Sequence, residues 1–292
     1  MQPLRVVVLM LSALVLTASP LCGQRHARGD YDFGMYLLGG GHMRDARTFA
    51  LQPLDTGGYT PAALDSLHYL RGWVLYNLRD FDLAAQSFSR VGSNATLYPK
   101  STFFGAISHV EQGEYRRAGE VLDSFALSPV ANDYAELLAF ERAGLALLDG
   151  DVAGYDHQRE KFTYSDFALA EHQHTFDRIA HEGPRNRSPW VAALASAVVP
   201  GLGKIYAGNV GEGVASFLLV GAMAGLTAES WVKAGGPDNW RTILYGTVGG
   251  LLYVGNIFGS AASVKIYYQE FETNRKGAVV YGLHIPLRSL FR

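Results

Sequence analysis

"PGLGKIYAGNVGEG", residues 200–213, places five glycines and a proline in fourteen positions, with apolar sequence on both sides. Glycine at this density lets a backbone press against a neighbour, either a phosphate or another helix. A phosphate-binding P-loop needs Gly, four residues, then Gly-Lys-Ser/Thr. Here Gly203-Lys204 is followed by Ile205, and Val198 stands five before Gly203. The dinucleotide fingerprint fails as well, because Gly201-x-Gly203-x-x leads to Tyr206. The stretch therefore reads as a turn between apolar helices.

Its surroundings point to a membrane. Residues 212–232, "EGVASFLLVGAMAGLTAESWV", carry charge only at their ends, and 242–264, "TILYGTVGGLLYVGNIFGSAASV", carry none. Each reaches the roughly 20 residues that a helix needs to cross the hydrocarbon core. Gly221 and Gly225 in the first run are spaced for close helix packing in lipid, as are Gly246/Gly250 and Gly255/Gly259 in the second. Trp231, Trp240 and Tyr245 occupy belt positions. Asn256 is the one strongly polar side chain inside a span, and a hydrogen bond across the hairpin is its expected use. The preceding run, 188–201, is too short to span and ends at its own Pro-Gly break. It is expected at the interface or re-entering.

Pro200, Gly201, Gly203, Tyr206 and Gly208 spell Pro-Gly-x-Gly-x-x-Tyr-x-Gly. That pattern resembles the mark of a bacterial family of two-helix membrane hairpins. The downstream "YVGNIFGSAASVKIYYQEFETN" is similar to the Gly-Asn-x-x-x-(small)-Ala stretch of envelope proteins that carry the hairpin. The resemblance covers about 188–275 and implies membrane association without implying a reaction.

At the other end, one Arg precedes "VVVLMLSALVLTA" and small or turn-forming residues follow, the layout of a secretory signal peptide over 1–23. Cys22 is the only cysteine, so no intrachain disulfide forms; lipidation of Cys22 is the alternative to its removal. The net charge of -2 offers no basic excess for a nucleic-acid backbone.

Between these ends, over 24–182, an internal period appears. "GWVLYNLRDFDLAAQSF" (72–88) and "AISHVEQGEYRRAGEVL" (106–122) align at Gly72/Ala106, Phe81/Tyr115, Ala84/Ala118 and Phe88/Leu122, each pair 34 residues apart. Gly34 and Ala46 continue the pattern upstream at a step of 38, and 143–162 continues its rhythm downstream, with Tyr155 where a small residue belongs. The spacing and the Ala84-Ala-Gln-Ser-Phe88 element resemble the tetratricopeptide repeat, a helix-turn-helix unit that buries its core against its neighbours. The resemblance implies that the first helix of each pair lines a concave wall. Tyr69, Trp73, Tyr76, Phe103, Ile107 and Val110 would then form a groove for a peptide or protein partner, or else fill the core between repeats.

No catalytic motif appears. His172 and His174, two apart, do not share a helix face, and neither a Gly-x-Ser-x-Gly elbow nor a His-Glu-x-x-His motif occurs. The expected architecture is all-α: signal peptide, repeat domain, hairpin domain over 188–275 and a tail over 276–292. The expected function is a non-enzymatic envelope scaffold with no cofactor or metal. The alternative is a component of a transport or assembly complex whose hairpin forms a homo-oligomer. A signal peptide and two spans put the repeats and the tail in the periplasm at the inner membrane, with outer-membrane association as the variant. The positive-inside rule opposes this, since Lys265, Arg275, Lys276, Arg288 and Arg292 follow the second run, against only Lys233 and Arg241 between the runs.

Overall fold

The structure, a computed structural model, describes residues 27–54, 59–233 and 235–291. The expected signal peptide and Cys22 lie outside the described residues. Among the described residues every element is helical and no strand occurs. The chain divides into two compact units, one of residues up to Phe176 together with Val280 onwards, the other Asp177–Val279.

The first unit begins with α1 (Ala27–Gly39), α2 (Met43–Leu51), α3 (Pro61–Asn77) and α4 (Phe81–Phe88). It continues through α5 (Tyr98–Glu111), α6 (Tyr115–Ala126), α7 (Ala135–Asp149), α8 (Val152–Arg159) and the start of α9 (Phe167–His181). Chemistry at the helix ends follows ordinary rules. Thr60 caps α3 by accepting from the Ala63 amide, and Pro61 opens the helix where its missing N–H costs nothing. Asp151 caps α8 through the Gly154 amide, and Gly150 ends α7 in the left-handed region.

The helix ends recur with the period in the sequence. α3 stops at Asn77 and α5 at Glu111, while α4 starts at Phe81 and α6 at Tyr115, both 34 residues on. The small positions lie where helices meet. A Cβ at Gly72 would sit 2.6 Å from the Phe88 ring, and one at Gly34 would crowd Leu70 and Phe49. Ala46, Ala84 and Ala118 are buried, as are Phe88 and Leu122. Tyr155 is fully buried, so the fourth pair is built around a large side chain instead.

The second unit contains α10 (Pro189–Val198), α11 (Leu202–Tyr206), α12 (Val210–Lys233) and most of α13 (Trp240–Leu290). Two helices, α12 and α13, are long and apolar enough to cross a membrane. Their large apolar side chains, including Phe217, Leu218, Leu251 and Phe258, point outward, the reverse of a soluble core helix. The final turns of α13, from Val280, belong to the first unit.

Replacing Gly72 with Leu tests the close contact. The added side chain must displace the Phe88 ring, so the variant should lose about 1–3 kcal/mol of stability or more, measured by thermal melting of the helical signal. An unchanged melt would show that Phe88 swings aside without cost.

Candidate functional site

Two sets of sequence-nominated residues converge in space, one in each unit. In the first unit, Tyr69, Trp73 and Tyr76 form a ladder along α3, their rings stacked at centroid distances of 6.4 and 5.9 Å. The Lys100 ammonium lies over Tyr69 and Trp73 at 5.3 and 5.8 Å, and burial holds its pKa below the usual lysine value. Tyr69, Tyr76, Phe103, Ile107 and Val110 are buried, and Trp73 keeps partial exposure. These five are therefore not an open wall.

Part of what covers them is the chain's own C-terminal segment. Phe291 packs against Phe103 and Tyr134 at centroid distances of 5.9 and 5.7 Å. Leu283 occupies the space that a side chain at Gly144 would need, and Gly282 faces Phe176 and His172. His284 joins the wall by hydrogen bonds, its Nδ1 to the Tyr76 hydroxyl and its Nε2 to Glu111 Oε1 at 2.7 Å. A neutral imidazole satisfies both: Nε2–H donates to the carboxylate and Nδ1 accepts from the phenol. Tyr76, Glu111 and Gly144 come from α3, α5 and α7, the first helices of three successive pairs, and Phe176 comes from α9, which follows the last pair.

Glu141 shares the α7 face of Gly144, one turn earlier. It is 2 % exposed and its Oε1 has no hydrogen-bond partner. Burial raises its pKa well above the carboxylate range. Glu111, Glu141 and His284 were not singled out from the sequence. Glu141 had a legible signal, a lone acid inside "LLAFERAGLALL", whereas nothing local marks Glu111 or His284.

In the second unit the glycine turn is explained by close approach. Gly201 is left-handed, with φ of 86°, and a Cβ there would fall on the Gly213 carbonyl; one at Gly203 would fall on the Ala192 carbonyl. Gly208 is also left-handed. The Gly203 amide donates to Ser196 Oγ at 2.9 Å, and Ser196 meets Ser260 Oγ of α13 at 2.6 Å. Three tyrosines then clasp the segment before α10. Tyr206, Tyr267 and Tyr268 accept from the amides of Ser188, Arg185 and Arg187 at 3.1, 3.1 and 2.9 Å. The Arg187 guanidinium lies 4.0 Å over the Tyr267 ring. Pro200 sits at the break between α10 and α11. α10 exposes Trp190, Leu194 and Val198 and buries Ala192 and Ser196, an apolar outer face too short to cross a bilayer.

The spans pack differently from the expected small-residue faces. Gly246 and Gly249 approach Thr227 and Met223, while Gly221, Gly225, Gly250 and Gly255 face open space and a Cβ at Gly259 would lie 3.7 Å from the Lys204 side chain. Asn256 is buried, yet neither side-chain polar atom has a partner, so the expected bond across the hairpin is not made. His172 faces Gly282 while His174 stacks on Tyr164, as their spacing predicts. Among the described residues no group of three or more His, Cys, Asp or Glu could hold a metal ion. Comparisons with protein-family models, curated proteins and solved structures gave no match.

Two expectations follow. Gly203→Ala should destabilise the second unit by about 1–3 kcal/mol through overpacking, whereas Gly221→Ala, with room for a methyl group, should leave the detergent melt unchanged. Equal melts for the two variants would contradict the close approach at Gly203.

The second expectation concerns pH. Burial lowers the His284 pKa, with Arg288 and Arg79 acting the same way and Glu111 opposing. The unfolded chain therefore takes up the proton first, so this contribution is present above about pH 6.5 and falls away as the solution is acidified through the folded value. Glu141 acts oppositely: its raised pKa favours the fold at low pH and is lost as pH rises. Glu141→Leu should leave a first unit that gains stability from pH 5 to 7. Adding His284→Gln should flatten that slope, with His68 and His172, also held low by burial, supplying the remainder. A slope unchanged by His284→Gln in a pH series of chemical melts would refute the assignment.

Proposed function

We propose that this chain is a non-enzymatic, membrane-anchored scaffold of the bacterial envelope. Its first unit is a tetratricopeptide-like repeat that binds a protein or peptide partner, and its second is an anchoring hairpin of the Pro-Gly-x-Gly-x-x-Tyr-x-Gly kind. The observation that carries the reading is the meeting of one helical segment with the first helices of three successive pairs, at Tyr76, Glu111 and Gly144, and with α9 at Phe176. A surface that accepts a helix in this way is suited to protein recognition. Two apolar helices beside a tyrosine clasp support the anchoring half. The repeats face the periplasm at the inner membrane, in keeping with the leader-like sequence of the first residues.

Co-purification of the full chain in mild detergent tests the scaffold. A stoichiometric partner whose capture is lost on changing the groove, and kept on changing the hairpin glycines, is the expected outcome. Gly221, Gly225 and Gly255, facing open space, favour the second reading, a hairpin that oligomerises within a transport or assembly complex. A homo-oligomer abolished by Gly221→Leu, with no other protein present, would establish that reading instead.

Orientation is tested with single cysteines at Asn186, Asp238 and Ser289 in a Cys22→Ser background, treated with an impermeant thiol reagent on spheroplasts. Labelling at 186 and 289 but not 238 is expected. Protection at 289 would mean an odd number of crossings after residue 186.

A further inference from the structure

We propose that residues 280–291 are a resident, displaceable ligand of the repeat groove, and that the groove's partner is an amphipathic helix of the same chemistry. This rests on the scaffold reading and names the class of partner. The segment presents Leu283, Leu287 and Phe291, one apolar residue every fourth position, with Leu283 and Leu287 fully buried. Between them His284 offers a neutral imidazole to Tyr76 and Glu111. Its other side is open, with Tyr281 and Ser289 exposed, while Arg288, also exposed, reaches toward Tyr76 beside His284. That is the one-faced pattern of a helix laid into a groove.

The contact also has features of a docking that can open. An apolar core resists opening because every group in it prefers to stay dry, but this one is held partly through polar groups that water can satisfy. Tyr76, Glu111 and His284 would rehydrate without loss of a hydrogen-bond partner. Glu141, buried with an orphaned oxygen on the face that bears Gly144, would gain one. Closure therefore leaves a carboxyl group less satisfied than opening does. A competing helix with a donor side chain able to reach Glu141 would hold the groove better than the resident segment. Pro286 weakens the occupant too, since it cannot donate to the Gly282 carbonyl.

The test uses the full chain in nanodiscs and a fluorescent peptide of residues 277–292, read by anisotropy against empty nanodiscs. Leu287→Asp should dislodge the resident segment, and the variant should bind the peptide at least about tenfold more tightly than the wild type, whose groove is occupied. Should Leu287→Asp fail to fold, a second variant decides the matter. Gly144→Cys with Leu283→Cys, in a Cys22→Ser background, locks the segment when oxidised; it should exclude the peptide and admit it after reduction. Equal binding by locked and reduced protein, or signal that matches empty nanodiscs, would overturn the proposal. A reduced wild-type-sequence dimer that exchanges its own segments would overturn the partner in favour of a second copy. Peptide binding without any captured cellular partner would leave the groove ligand standing and remove the scaffold. A partner captured equally by locked and reduced chains would do the reverse.

Discussion

Helices in this protein come together where a Cβ is missing or small. In the first unit the Phe88 ring lies against Gly72 so closely that no side chain fits between them, and Leu283 stands in the same relation to Gly144. In the second, Gly203 lies on the Ala192 carbonyl and Gly201 on that of Gly213. The first unit has a buried apolar core and the second carries the two helices long and apolar enough to span a membrane, and the same device would serve each for a different reason. In water a small residue lets a large apolar neighbour bury fully. In lipid burial gives no advantage, and close approach is what gains dispersion and polar contacts.

That difference explains the distribution of polar groups. In the second unit Ser196, Ser260 and the Gly203 amide satisfy one another over short distances. The tyrosine hydroxyls take up the backbone amides of Arg185, Arg187 and Ser188, which no helix supplies with acceptors. Asn256 stands apart, buried with both polar atoms unpaired. In the first unit one polar cluster, Tyr76, His284 and Glu111, lies where the C-terminal segment packs, and Glu141, one turn from Gly144, keeps an oxygen unpaired. A polar cluster of this kind adds little net stability and makes a contact sensitive to pH and to competition.

Local chemistry made much of the architecture legible. The turn after Asn77 and the one after Glu111 lie 34 residues apart, as the paired small and large residues required. The glycine stretch 200–213 breaks one apolar helix and launches the next, as expected, but with the short α11 between them and its glycines pressed against neighbouring carbonyls. Charge-free sequence over 242–264 lies on a helix that can span. The same rules were less able to assign faces. Gly221 and Gly225 have the spacing of a packed stripe but meet nothing, because spacing marks which residues share a face and not what lies opposite.

By itself the sequence determined that the chain is helical, where the helices near Asn77 and Glu111 turn and which two are apolar and long enough to span, since periodicity, capping and hydropathy act within a few residues; that α13 runs on through 276–290 it did not show. Only the tertiary structure decided that Tyr69, Tyr76, Phe103, Ile107 and Val110 are buried, and that residues from 280 onward lie against Tyr76 and Phe103. His284 is 208 positions from Tyr76 and 173 from Glu111, and no period links them. A contact between such distant residues is selected by shape and by hydrogen-bond capacity at the point of meeting, and those exist only once the helices are packed.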